Sequence, residues 1–275
     1  MRYGLELPCG GDHLTVDLLL DLAVAAERSG WDGVFLEDYL VYYRGDDPPT
    51  FDPWVVLAAA AGRTTRVVLG TTVSGLLARD PVKLAREAVT LDALAPGRVV
   101  LGVGVGDPAD RGTQVGVQDT RRARGREMDR RLDLLLALLH GQPVDGPTDG
   151  PVVFRPTAHR VRVWVGGSAE AKAVARRGAR ADGVVPYKVT DTRAWSDFTS
   201  TETAQLVAAV AEHRGSSDGL DVAVGGRRRL TSLTAERAAV EAARDGGATW
   251  WLEFLPPATP SQMLDTVRAG PVRAA

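Results

Sequence analysis

The fold is decided by residues 66–106, which read RVVLGTTVSGLLARDPVKLAREAVTLDALAPGRVVLGVGVG. Two runs of aliphatic and β-branched residues, 66–71 and 98–103, lie on either side of a segment that opens with Asp80-Pro81. Because Asp is a good N-cap and Pro fits the first helical turn, that segment is predicted to be a helix. A strand, a helix and a second strand in this order are typical of a parallel sheet.

The same strand and helix pattern repeats in both directions along the chain. Upstream, strands at 3–7 and 33–37 precede helices at 15–29 and from Asp52-Pro53 onward, and downstream a helix is expected at 120–140. The later strands are expected at 161–165, 182–185, 221–224 and 249–254, with helices at 169–178, 201–213, 234–245 and 260–268. These eight units in 275 residues predict an α/β protein, a single-domain (β/α)8 TIM barrel. An excursion loop is expected around 141–160, and an open doubly wound sheet is the alternative fold.

Composition and charge exclude several classes of function. A net charge of -2 gives no bulk reason to bind nucleic acid or an anionic membrane. No apolar run reaches the roughly 18 residues of a membrane span, and Met1 leads directly into a strand, so a cytosolic protein is expected. A single cysteine, Cys9, excludes an internal disulfide, and the histidines lack ligand spacing, so no metal site is predicted.

Candidate functional residues follow from the rule that barrel enzymes carry their chemistry at the C-terminal ends of the strands. The acid–base candidates at these ends are Glu6, His13, Asp38, Tyr39 and Asp107. At strand three the rule also selects Thr71, Thr72 and Val73. Tyr42, Tyr43 and Trp195 fall in loops at the mouth and are candidates for substrate contact.

The glycines at 102–106 do not form a GxGxxG motif, and Pro108 separates them from the next helix, so a dinucleotide fingerprint is not favoured. Glycines at this rim instead predict that a flat ring can approach the backbone. Gly166-Gly167-Ser168 is a candidate anion site, because it is expected to join a strand directly to a helix start. The alternative is a loosened loop with Ser168 as a simple N-cap. Lys188 could add a positive charge to the same pocket.

Beyond these local patterns, the stretch 66–106 resembles the luciferase-like flavin- and F420-dependent oxidoreductases. The resemblance extends to GWDGVFLEDYL at 30–40 and to VWVGGSAEAKAVARRGARADGVVPY at 163–187. It implies a (β/α)8 barrel with FMN or coenzyme F420 at its mouth, acting on a small-molecule substrate by hydride transfer or, as a monooxygenase, by oxygen activation. Lys188 gives a slight preference for F420.

The resemblance also implies roles for individual residues. In this family a non-prolyl cis peptide lies behind the ring, and the matching residues are Thr72 and Val73. The ring-lining positions match Gly104, Gly106 and Asp107. The phosphate-binding positions match Gly166, Gly167, Ser168 and Lys188. Tyr39 stands where many relatives have histidine, so a histidine acid–base group cannot be assigned there.

Two further readings of the function stay open, a flavin-binding barrel without turnover and a cofactor-free barrel enzyme. The helices after strands two and three carry smooth apolar stretches, at 55–61 and at Ala85 with Ala88-Val89. Since an outer barrel helix needs only one apolar stripe, these stretches predict a second contact. Relatives pair through this region, and a homodimer is therefore expected.

Overall fold

The computed structural model describes residues 1–40, 48–106, 120–145, 150–157, 160–170, 172–189 and 195–275. The strands are β1 Arg2–Leu7, β2 Gly33–Asp38, β3 Val68–Gly75, β4 Val99–Gly104, β5 Pro143–Asp145, β6 Pro151–Val153, β7 Arg162–Ser168, β8 Gly183–Tyr187, β9 Asp221–Arg227 and β10 Trp250–Phe254. Eight of them close a parallel barrel in the order β1-β10-β9-β8-β7-β4-β3-β2. The predicted (β/α)8 barrel is confirmed.

The first four helices begin directly after Thr15, Asp52, Asp80 and Thr120, where the sequence places them, whereas the helix expected from 169 begins at Lys172. They are α1 Val16–Arg28, α2 Pro53–Ala61, α3 Pro81–Leu94, α4 Arg121–Leu139, α5 Lys172–Gly178, α6 Ser200–Arg214, α7 Leu233–Asp245 and α8 Pro260–Arg268. The side chain of Thr15 accepts from Leu18 N, and the carboxylates of Asp52 and Asp80 each accept two amides of the following helix. These bonds satisfy backbone donors that a helix start leaves without partners.

The barrel interior is filled with aromatic rings toward the N-terminal ends of the strands. Phe35, Trp164 and Trp250 contact one another with ring centroids 5.3 to 5.6 Å apart. Gly4 and Gly33 make room for them, since a Cβ atom at either position would lie 2.7 Å from the Phe35 ring. We call these three packed rings the aromatic floor. Polar residues line the barrel above it, toward the C-terminal ends of the strands.

Several boundaries differ from the sequence expectation. The strand predicted at 66–71 begins at Val68, because the amides of Arg66 and Val67 donate to the Glu27 carboxylate at 2.6 and 3.0 Å. The excursion after α4 contains an antiparallel hairpin, β5 with β6. Its following residue Phe154 packs under the guanidinium of Arg86, 3.9 Å from the ring centroid.

The apolar residues on α3 were wrongly predicted to form an outer contact. Ala85, Ala88 and Val89 are buried within this chain, against the barrel. On α2 the outer face does carry an apolar group, because the Val55 side chain is 70% exposed. Among the helices of the described ranges, none is both long and apolar enough to cross a membrane.

Candidate active site

The centre of the mouth is a bulge in β3. Pairing of β3 with β4 shifts register between Thr71 and Ser74, and the Thr72–Val73 peptide is cis, as the resemblance predicted. The bulge directs the Val73 side chain toward the backbone of β4 and β7. A Cβ atom at Gly104 or Gly166 would lie 2.8 or 2.7 Å from a methyl group of Val73.

This contact adds a role for the glycines that the sequence did not predict. In the structure they accommodate the Val73 side chain, and the approach of a flat ring to this surface stays a prediction. The Val73 side chain is half-buried. It lies against Gly102, Gly104 and Gly166, which have no side chains to displace it. We call this surface, formed by Val73 and the three glycines, the Val73 shelf. Gly106, with a φ of 88°, lies beside it and approaches Gly75 closely.

Among the described residues, Glu6 is a carboxylate that lies beside the shelf. The hydroxyl of Thr72 donates to Oε1 of Glu6 at 2.8 Å. The other oxygen, Oε2, faces Gly226, where a Cβ atom would lie 3.3 Å away. Glu6 is the penultimate residue of β1, and its side chain is partly buried between the β3 bulge and the end of β9. A carboxylate therefore lies at the edge of the Val73 shelf.

Asp38 lies on the other face of β2, and its carboxylate is held by protein groups. Ser74 donates to Oδ2 at 2.5 Å, and Arg79 donates to Oδ1. The hydroxyl groups of Thr71 and Ser74 are 3.1 Å apart, so the network joins both ends of the bulge. Desolvation raises the pKa of Asp38, and the Arg79 charge opposes that rise. Asp38 supports the bulge from behind rather than facing the mouth.

The other acid–base candidates are His13, Tyr39 and Asp107. His13 is exposed in the loop after β1. The carbonyl of Tyr39 accepts a long contact from the Cys9 thiol at 4.0 Å, and burial raises the pKa of Cys9 to about 12. Asp107 lies outside the described residues, as do Tyr42 and Tyr43.

The candidate phosphate turn is part of a strand. Gly166, Gly167 and Ser168 pair with Val185–Tyr187 of β8, and α5 begins only at Lys172. The prediction that this turn leads directly into a helix was wrong, because the strand pairing keeps the backbone extended. The amide of Ala169 donates to the Tyr187 carbonyl at 2.9 Å and is not available to an anion. A Cβ atom on Gly167 would lie 2.9 Å from Val174, so α5 itself requires this glycine.

Lys188 follows β8 at the same edge of the barrel. Its ammonium donates to both oxygens of Glu202 at 2.6 and 2.7 Å and to the Asp197 carbonyl at 3.2 Å. Hydrogen bonding from Lys188 is the main cause that lowers the pKa of Glu202 to about 2. The charge predicted for a phosphate is thus neutralised by a carboxylate of α6.

Sequence reasoning missed the role of Gly226, which lies between Glu6 and Trp195. The indole N–H of Trp195 donates to the Gly225 carbonyl at 2.9 Å, and its ring lies 6.0 Å from that of Tyr187 between centroids. The Gly225-Gly226 pair at the end of β9 is a signal that could have drawn attention to this position. Glu6 and Trp195 are the spatial neighbours of Gly226 but are distant from it in sequence. The sequence pattern alone therefore could not place them beside it.

A second charged cluster lies outside the barrel wall, between β9, β10 and α7. Arg229 donates to Glu253 at 2.9 and 3.0 Å, while Arg227 binds both oxygens of Asp197 and one of Glu236. Glu253 is almost fully buried, and desolvation raises its pKa to about 7 despite Arg229. Within the described ranges, no three His, Cys, Asp or Glu side chains gather as metal ligands.

A closed parallel barrel with a bulged third strand and a polar mouth defines a barrel protein that binds its ligand at the C-terminal face. The chain belongs to the luciferase-like monooxygenase family, whose model matches residues 8–269.

Among curated relatives, the chain is similar to an F420-dependent glucose-6-phosphate dehydrogenase of Nakamurella multipartita. The two are 33% identical over 232 residues, which cover 80% of this chain and 65% of the relative. A protein of the same name from Beutenbergia cavernae is 47% identical over 92 residues, covering 32% of this chain and 27% of the relative. The chain thus spans less than two thirds of the length of these relatives.

Among solved structures, the chain is similar to a monooxygenase, RslO1, from Streptomyces bottropensis, with a TM-score of 0.73 and 20% identity over 98% of this chain and 97% of that one. It is also similar to a coenzyme F420-dependent tetrahydromethanopterin reductase from Methanopyrus kandleri, with a TM-score of 0.71 and 15% identity over 98% of both chains. At these identities the likeness supports the fold alone.

Proposed function

We propose that this protein is an oxidoreductase that binds FMN or coenzyme F420 against the Val73 shelf. Its family membership and the F420-dependent relatives support the class of reaction, and the relatives favour F420 of the two cofactors. The observation that carries the proposal is the shelf itself. A half-buried isopropyl group lies over three glycines beside a carboxylate, which is a surface on which a planar tricyclic ring fits.

When bound, either cofactor supplies a ring that carries a hydride, and reduced FMN also activates oxygen. The protein's contribution is assigned to Glu6 and Thr72. Glu6 is the carboxylate to which we assign proton transfer, and the Thr72 hydroxyl fixes its orientation through Oε1. Asp38 is a positioning residue, because Ser74 and Arg79 already occupy its oxygens.

The remaining roles of the site residues are part of the same proposal. The cofactor phosphate is assigned to the edge formed by Gly166, Gly167 and Ser168, beside Tyr187. Lys188 can bind that phosphate only by giving up its ion pair with Glu202, so the ion pair competes with the phosphate for Lys188. A cytoplasmic location remains a prediction.

We also propose a homodimer that forms through the outer face of α2. Val55 is the large exposed apolar side chain on that face, and Ala59 beside it is small and exposed. Small residues beside an apolar one let a helix of a second copy approach closely. Two-fold symmetry is the commonest symmetry among homo-oligomers.

Titration of the protein with FMN and with F420, followed by ligand and tryptophan fluorescence, tests the cofactor. Micromolar binding of either supports the proposal, and absence of binding of both contradicts it. Reduction of the bound cofactor by candidate alcohol donors, or oxygen uptake with reduced FMN, then separates an enzyme from a barrel without turnover.

The role of Glu6 is tested by Glu6→Gln, which keeps the shape and removes the proton acceptor. Turnover should fall by about 10²- to 10⁴-fold while cofactor affinity is kept. Asp12→Asn, at an exposed carboxylate in the loop that follows β1, is the control and should leave turnover unchanged. Equal turnover of Glu6→Gln and the unsubstituted protein would reject this role.

A further inference from the structure

A groove runs along the outside of the barrel between α1 and α8. Its volume is about 320 Å³, at the lower end of the range for small-molecule pockets, and the residues that line it all belong to the described ranges. The two helices pack against each other because they follow β1 and β10, which are paired strands. Both helices run back toward the N-terminal ends of the strands, and their last turns line the groove. The groove is therefore separate from the mouth of the barrel.

Two guanidinium groups lie at the same end of this groove. Arg28 is the last residue of α1, and Arg268 is the last residue of α8. Within the described ranges, neither guanidinium donates a hydrogen bond to a protein acceptor, and Arg268 has only a loose ion pair with Asp265 at 3.7 Å. A guanidinium has five N–H donors and binds a carboxylate through two of them at once. Both arginines thus have donors available for an anion.

The helix ends alone do not account for this arrangement. A cation in the last turn of a helix interacts favourably with the helix dipole, and each arginine gains that stabilisation separately. The dipole does not require the two side chains to line one groove, where their like charges repel each other. An anion bound between them would remove this repulsion.

The middle of the groove is apolar, and its far end carries a negative charge. Val24, Ala25 and Leu264 lie about one helical turn before the arginines. Asp21 is exposed and lies about 10 Å before Arg28 along the axis of α1. A ligand that fills the groove therefore has an anionic group at one end and an apolar body, with no second negative charge near Asp21.

We propose that this groove binds an amphipathic monoanion, a small molecule with one carboxylate and a hydrocarbon body. The carboxylate accepts hydrogen bonds from Arg28 and Arg268, and the hydrocarbon covers Val24 and Leu264. Ser29 adds a hydroxyl group at the carboxylate end. This site is independent of the proposed function, because none of its residues is assigned to the cofactor or to the reaction.

Calorimetric titration with four probes tests the chemistry of the ligand: octanoate, 1-octanol, octanedioate and inorganic phosphate. Octanoate should bind tightest. The alcohol lacks the charge, the dicarboxylate brings a second charge to Asp21, and phosphate has no hydrocarbon to cover the apolar residues. Asp21→Asn should raise the affinity for octanedioate and leave the affinity for octanoate unchanged.

Substitution of the arginines tests the position of the site. Arg28→Gln and Arg268→Gln should each weaken octanoate binding by about tenfold, as expected for the loss of a charged hydrogen bond. Arg63→Gln, at an exposed arginine that follows α2, is the matched control and should bind octanoate like the unsubstituted protein. Thermal melts of each variant exclude loss of fold as the cause of weaker binding.

Three results would overturn the proposal: no octanoate binding at millimolar concentration, equal affinity for octanoate and 1-octanol, or unchanged octanoate binding in both Arg28→Gln and Arg268→Gln. A loss in Arg63→Gln as large as that in Arg28→Gln would also overturn it, since the effect would then follow from net charge. Failure of the proposed function is seen separately, in titrations with FMN and F420 that contain no octanoate.

Discussion

Cγ2 of Val73 lies 2.8 Å from the point that a Cβ atom on Gly104 would occupy. Gly104→Ala should therefore displace Val73 and destabilise the fold by about 1–3 kcal/mol, the usual cost of overpacking. Cofactor affinity should fall with it, because the shelf no longer lies flat. Urea denaturation and cofactor titration measure the two effects.

Gly62→Ala is the control for that substitution. Gly62 ends α2 with a φ of -75°, and its nearest neighbour to a new Cβ atom is 3.6 Å away. This variant should keep full stability and affinity. If Gly104→Ala binds cofactor as well as Gly62→Ala does, the shelf is not the ring site.

The network behind the bulge gives a second prediction. Arg79→Ala leaves the buried carboxylate of Asp38 without its cation, which should cost about 3–5 kcal/mol of unfolding free energy at neutral pH. The pKa of Asp38, already raised by desolvation, should rise further, so the loss should shrink as the pH is lowered and the carboxyl takes up a proton. Urea denaturation at several pH values measures this change.

Arg268→Ala supplies the comparison, because its contact with Asp265 is 3.7 Å long and both side chains are mostly exposed. It should change stability little at any pH. A loss in Arg79→Ala that is independent of pH would argue against an uncompensated Asp38 charge.

Glu253 should make stability depend on pH in the opposite sense to an ordinary paired carboxylate. Desolvation raises its pKa from 4.5 to about 7, so the folded protein holds a proton that the unfolded chain has lost over that interval. The unfolding free energy should then decline as the pH rises from 4.5 to about 7. In Glu253→Gln this part of the decline should vanish, as measured by chemical denaturation at a series of pH values. A slope unchanged by the substitution would show that Glu253 does not titrate there.

The homodimer is tested at Val55. Light scattering should find a dimer for the unsubstituted protein at micromolar concentration and a monomer for Val55→Lys, because the lysine places a charge in an apolar contact. Val152→Lys changes an exposed valine on the β6 hairpin and should remain dimeric. A monomeric unsubstituted protein with cofactor bound would refute the dimer.

The sequence predicts the architecture well, because local capping residues determine where the helices start. Thr15, Asp52, Asp80 and Thr120 each cap the helix that they were expected to open. The ends of strands are harder to predict. Gly166-Gly167-Ser168 has the composition of a turn, yet pairing with β8 keeps it extended. That pairing depends on a neighbouring strand rather than on local propensity.

The site is predictable in part for the same reason. Resemblance placed the cis peptide correctly at Thr72–Val73, whereas the partner of the glycines, Val73, could be identified only in three dimensions. The orientation of Asp38 was accessible from the sequence. Strand alternation with Phe35 inside the barrel puts Glu37 on the inner face and Asp38 on the outer one.

The aromatic floor of Phe35, Trp164 and Trp250 has a consequence for kinetics. Packed rings close the described barrel toward the N-terminal ends of its strands, so a ligand reaches Val73 and leaves it past the C-terminal ends. Trp195 lies along that route. On the proposed function, the molecule that binds second covers the one on Val73, and we expect steady-state rates to follow a compulsory order in which the ligand on Val73 binds first and dissociates last.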